Sequence, residues 1–123
     1  MLWYGFTESE WERGKVEITE ILRKLAKERG MIAYGDLSRR LSTIEIGPHD
    51  PAMGEILGEI SKSEDAEGRG MLSALVVHMQ NDLEPGNGFY TCAESLGRDV
   101  SNRQACWITE MHKVHDYWAN KHK

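Results

Sequence analysis

Apolar residues recur at helical spacing through Trp11, Ile18, Ile21, Leu22 and Leu25, with charged positions between them, and the pattern predicts a helix over 8–29. Thr7 is placed as its N-cap, Glu10 three residues later closes a capping box, and Phe6 is positioned to staple onto Trp11. Arg23, Lys24 and Lys27 enrich the last turns and Gly30 suits the C′ position. Met31-Ile32-Ala33-Tyr34, between Gly30 and Gly35, is too short for a helix and reads as a brief strand. Asp36 then caps a short helix carrying Leu37 and Leu41 on one face, and Gly47-Pro48 ends it in a loop. Asp50 followed by Pro51 opens another helix with Met53, Ile56, Leu57 and Ile60 as its buried stripe. Gly54 and Gly58 leave a ridge without side chains on that helix, where another backbone is expected to pack.

The run Met71 to Met79, β-branched at its centre, is the best strand in the chain, with Met71, Leu75, Val77 and Met79 on one face and Leu72, Ala74, Val76 and His78 on the other. The polar stretch Gln80 to Gly88 leads into Phe89-Tyr90, so a hairpin with a long tip is the economical reading. Thr91 with Glu94 marks a short helix ending at Gly97, and Ser101 with Gln104 marks a last helix over 102–120, whose Trp107, Met111, Val114 and Trp118 follow a helical stripe.

Helix, short strand, two helices, strand, polar tip and strand form the order of a winged helix, with Asp36–Leu41 and Pro51–Ile60 as its helix-turn-helix and Gln80–Gly88 as its wing. Tyr34-Gly35-Asp36-Leu37 resembles the tyrosine-glycine-x-leucine entry to the helix-turn-helix in the DNA-binding domain of the alkylguanine-DNA alkyltransferase family, a similarity covering about 31–90. The resemblance implies a winged-helix fold. It carries no catalytic residue over, because that family's reactive Pro-Cys-His-Arg motif has no counterpart: the corresponding strand reads Ser73-Ala74-Leu75-Val76-Val77-His78. The expected fold class is therefore α+β, a winged-helix-like core over 8–97 with an added C-terminal helix over 102–120, in one domain spanning 1–123.

Composition narrows the partners. The chain has 123 residues, enough for one core, and 15 Lys and Arg against 20 Asp and Glu give a net charge of −5. No apolar run approaches membrane-spanning length and the N-terminus lacks the features of a signal peptide, so no membrane role and a cytoplasmic location are expected. Over 44–67, seven acidic residues (Glu45, Asp50, Glu55, Glu59, Glu64, Asp65 and Glu67) face Lys62 alone. Phosphates need Lys and Arg, so the element that would probe a DNA groove carries the repelling sign.

Few constellations suggest chemistry. His112 and His115, at i, i+3 on the last helix, are candidate metal ligands, but two ligands fall short of a site and basic residues at a helix C-terminus complement its dipole without a metal. Cys92 beside His78 is a candidate nucleophile lacking any identifiable oxyanion or orienting group, and Cys106 beside Trp107 suits a core. Pro85-Gly86-Asn87-Gly88 lacks the Lys-Ser/Thr ending of a phosphate loop, although the backbone there is open to close approach by a ligand or peptide. Trp3, Tyr4 and Phe6 are expected to fold back over the core, and the surplus apolar residues of the last helix point to a homodimer. These readings predict a non-enzymatic, acidic interaction module without cofactors that binds a protein partner in a regulatory or nucleic-acid-associated system. Its contact residues would be Glu55, Glu59, Asn87, Phe89 and Tyr90. The alternatives are direct nucleic-acid binding through Arg39, Arg40, Arg98 and Arg103, and a small metal- or thiol-dependent enzyme.

Overall fold

The computed structural model describes residues 4–79 and 83–121, and the architecture is that of these residues. Helix α1 spans Glu8–Lys27, strand β1 Ile32–Ala33, α2 Tyr34–Arg40 and α3 Pro51–Ala66; a 3-10 turn at Leu72–Leu75 leads into β2, Val76–Val77, followed by α4, Asn87–Ser95, and α5, Arg103–Lys121. In α1 the capping box forms: the Glu10 amide donates to Thr7 Oγ1 at 3.1 Å and the Thr7 amide to the Glu10 carboxylate at 2.8 Å. Trp11, Ile18, Leu22 and Ala26 line its buried face. Tyr4 and Phe6 rest against the Trp11 ring, while Trp3 lies outside the described residues. The helix ends in a Schellman turn, with the Gly30 amide donating to the Leu25 carbonyl and the Arg29 amide to that of Ala26. Arg29, not Gly30, takes the left-handed position, at φ 55°.

The molecule is not a winged helix. Among the described residues it is a mainly helical domain of five α-helices around one pair of two-residue strands, and those strands run parallel, Ile32 opposite Val76 and Ala33 opposite Val77. A wing requires the chain to return antiparallel along β2. Here a single antiparallel bridge joins His78 to Glu84, and Phe89 and Tyr90, expected in a strand, lie in α4. Of the expected wing, 80–82 lie outside the described residues.

The reason is the burial of Met71–Val77 on every side, which leaves no solvent face for a hairpin. The 3-10 turn eclipses residues three apart, so Met71, Ala74 and Val77 face a cluster with Phe89, Tyr90, Cys92, Ala93 and Trp107. Leu72, Leu75 and Val76 face the larger cluster built on Ile18, Leu22, Ile56 and Val114. In α4, Phe89, Cys92 and Ala93 bury one helical face by their i, i+3, i+4 spacing. Helix α5 spans both clusters, with Trp107 in the second and Val114 and Trp118 in the first. Two cores thus account for the apolar surplus on which the homodimer expectation was based.

The loop between α2 and α3 is tied to α1 by Glu17, whose carboxylate accepts from the amides and hydroxyls of Ser42 and Thr43 at 2.7 to 3.0 Å. Ile44, next in that loop, lies over Gly14, where an added Cβ would sit 2.7 Å from Ile44 Cγ2. The ridge on α3 differs: α4 packs against α3, yet a Cβ at Gly54 or Gly58 would meet nothing within 4 Å. Gly14→Ala should therefore destabilise the protein by about 1–3 kcal/mol through overpacking, while Gly54→Ala should stabilise it by up to about 1 kcal/mol through helix propensity. Urea titrations of the two variants check the opposite signs. Burial raises the Glu17 carboxyl, but its four donors outweigh that and hold it at about 2 against an ordinary 4.5. Its contribution to stability is thus complete above about pH 4.5 and lost as pH falls toward 2. Glu17→Gln should lower the melting temperature at neutral pH and flatten its decline through that acid range.

Candidate binding cleft

Two parallel strands in register end side by side, so the residues that follow them must be neighbours. Tyr34 follows Ala33 and His78 follows Val77, and their rings stack with centroids 4.6 Å apart. The α2–α3 loop, held by Glu17, adds His49, its ring roughly parallel to that of His78 at 6.3 Å. Helix α2 contributes Arg39 in an ion pair with Asp36. These residues, with Met79, line a cleft of about 320 Å³ at the carboxyl ends of the strands. The same end holds ligands in larger parallel sheets.

The Tyr34 hydroxyl accepts from the Gly86 amide at 3.1 Å, which moors the segment entering α4 to the cleft. Burial pushes the phenol up from its ordinary value, partly offset by that amide, so Tyr34 stays protonated at neutral pH and acts as a positioning group. Gly86 fits closely against the rings: a Cβ would lie 3.1 Å from Tyr34 Oη and 3.3 Å from His78 Nε2, so the two rings would have to give by a few tenths of an ångström.

The residues singled out from sequence are scattered. Glu55 is exposed on α3, whereas Glu59 is engaged by Lys15 Nζ at 3.0 Å and Trp11 Nε1 at 3.3 Å. Asn87 opens α4 and accepts from Arg103 at 3.0 Å; Phe89 and Tyr90 are buried in the second cluster. Arg39 and Arg40 are exposed, but Arg98 is clasped between Asp65 and Glu110, and Arg103 lies 4.7 Å over the Tyr90 ring. His112 is exposed while buried His115 sits 3.0 Å from the Gly30 carbonyl, so the two imidazoles are not directed together at one ion. Burial raises both thiols, Cys92 and Cys106, from their ordinary values, the opposite of what a nucleophile needs. Among the described residues no three of His, Cys, Asp and Glu group as a metal site, and no helix is long and apolar enough to cross a membrane.

Sequence reasoning passed over His49 and weighed His78 only as a base for Cys92 or a further metal ligand beside His112 and His115, never as a neighbour of Tyr34. The available signal was His78 directly after a β-branched run and Tyr34 directly after a short strand, but joining them required the strand pairing. No family model matches the chain, nor does any curated protein or solved structure.

Gly86 has φ −71°, which alanine adopts without strain, so Gly86→Ala acts on the rings alone. It should shift the NMR signals of the His78 and Tyr34 rings while leaving a cooperative unfolding transition; unchanged ring signals would refute this packing.

Proposed function

We propose that the chain is a non-enzymatic binding module that docks a protein partner through the cleft at the strand ends. The observation that supports this reading is the stacked Tyr34, His78 and His49 beside Arg39 in one concave surface, with Met79, next to His78, and Leu83, next to Glu84, exposed by 53% and 42%. Aromatic, methionine and arginine side chains are what protein interfaces enrich at their centres. The buried thiols and the engaged Tyr34 hydroxyl favour recognition over catalysis, and a net charge of −5 favours a protein over a phosphate backbone.

A second reading has one observation in its favour: Arg39 and Arg40 stand exposed on the helix that begins with Tyr34, the combination of cation and ring that holds single-stranded nucleic acid. One experiment separates the two. The full chain, immobilised, is used to capture partners from nuclease-treated extract of its native cell, beside the His78→Ala and Arg39→Ala variants. The expected result is a protein retained after nuclease and reduced about ten-fold by either variant, as loss of a central interface residue does. Retention that disappears with nuclease supports the second reading, and retention equal in all three proteins removes the cleft from the contact surface.

A further inference from the structure

Arg39 and Arg40 are the chain's one pair of adjacent arginines, and they precede Ser42 by three and two residues. Both are exposed, the Arg39 side chain by 74% although it pairs with Asp36. Helix α2 ends at Arg40, Leu41 is already extended at φ −71° and ψ 128°, and Ser42 stands exposed in the irregular loop beyond. The helix has only seven residues and buries only Leu37, so its last turn is held by little more than backbone bonds. A serine hydroxyl behind two guanidinium groups, on a chain that can extend, has the charge pattern that a kinase with carboxylates along its substrate groove selects, because guanidinium and carboxylate meet in bidentate pairs. The Arg39–Asp36 pair is exposed to solvent and gives way at small cost.

The same hydroxyl is one of the four donors that Glu17 gathers. Ser42 Oγ donates to the Glu17 carboxylate at 2.8 Å and the Ser42 amide at 2.9 Å, and Thr43 adds its own amide and hydroxyl. That carboxyl is ionised at neutral pH, since its donors hold it at about 2. A phosphate on Ser42 removes the O–H donor and sets a charge of about −2 against the carboxylate, so the contact turns from attraction to repulsion. We propose that Ser42 is a phosphorylation site for an arginine-directed serine kinase and that its phosphate opens the Glu17 clasp on the α2–α3 loop. Ser42 Oγ attacks the γ-phosphorus of a nucleoside triphosphate held by the kinase; the Oγ–P bond forms as the bond to the bridging oxygen of the β-phosphate breaks, nucleoside diphosphate leaves, and the hydroxyl proton passes to a carboxylate of the kinase. Ile44 and Ile46 are buried in the larger cluster and anchor the rest of the loop, so the phosphate frees 42–43 without unfolding the domain. The inference stands on the loop and α1, and holds whether or not the cleft at the strand ends docks a protein.

The test incubates the full chain with magnesium ATP and the catalytic subunit of cyclic-AMP-dependent protein kinase, an arginine-directed serine kinase, and maps the product by peptide mass spectrometry. One phosphate should enter, at Ser42. The double variant Arg39→Ala/Arg40→Ala should lower kcat/KM about thirty-fold, as loss of a paired charge at an interface does. Glu17→Gln, whose weaker clasp releases the hydroxyl more often, should raise it about ten-fold. The second readout is thermal unfolding: the phosphorylated chain should melt about 5 °C below the unmodified one, and in the Glu17→Gln background the same phosphate should lower the melting point by no more than about 2 °C. A hydroxyl that accepts phosphate without bearing on the clasp would lower both backgrounds equally. That result, a phosphate placed on another residue or on none, or a rate that ignores the arginine substitutions would overturn the proposal.

Discussion

Met71 to Val77 form seven consecutive residues with almost no solvent contact, and the rest of the molecule is arranged to make that burial tolerable. A chain segment enclosed on all sides must have its backbone groups paired. β1 pairs with its last two residues, Ser61 Oγ accepts from the Ser73 amide at 3.0 Å and donates to Ser73 Oγ at 2.6 Å, and Trp107 Nε1 donates to the Ala74 carbonyl. Because the segment is a 3-10 turn for most of its length, its side chains divide between two clusters, and α1, α3, α4 and α5 gather on its two sides. The cleft is a by-product of the same element, since its end places His78 against Tyr34.

Charge follows a similar logic of distant partners. The acidic stretch over 44–67 counts as strongly negative when read alone, but Glu59 pairs with Lys15, buried Glu64 with Arg23 and Arg69, and Asp65 with Arg98. All four cations lie outside that stretch. Glu64 is almost fully buried, where a lone carboxylate would be prohibitively costly, and two guanidinium groups make its ionised form tenable. Arg23 also sits over the Trp118 ring at 5.0 Å, so this charge cluster links α1, α3 and α5. Arg98 does the same between α3 and α5, and its pairing lowers Asp65 from its ordinary value. The acids of α3 that stay free for a partner are consequently fewer than the count suggests, with Glu55 among them.

Local signals were legible where a single turn of chain decides the matter. Thr7 with Glu10, Asp50 with Pro51, and the stripes through Ile18 and Leu22 or Ile56 and Ile60 set α1 and α3 within a few residues of where they lie. The second half was misread because Phe89-Tyr90 are good strand residues whose neighbours Cys92 and Ala93 complete a helical face, and a short apolar pair does not distinguish the two periods. The alternation read into Met71–Met79 failed for the reason given by its burial: a segment covered on every side owes nothing to a two-residue repeat.

The sequence alone determined the starts of α1 and α3, their apolar stripes and the overall acidity, because caps, propensity and periodicity act over a few neighbouring residues. Tertiary structure decided the rest. Whether 76–77 pairs with 32–33 or with 89–90, which arginine meets which carboxylate, and that Tyr34, His49 and His78 share one surface are all contacts between residues far apart in the chain. Such contacts are selected by the burial of the whole core at once, and no local spacing encodes them.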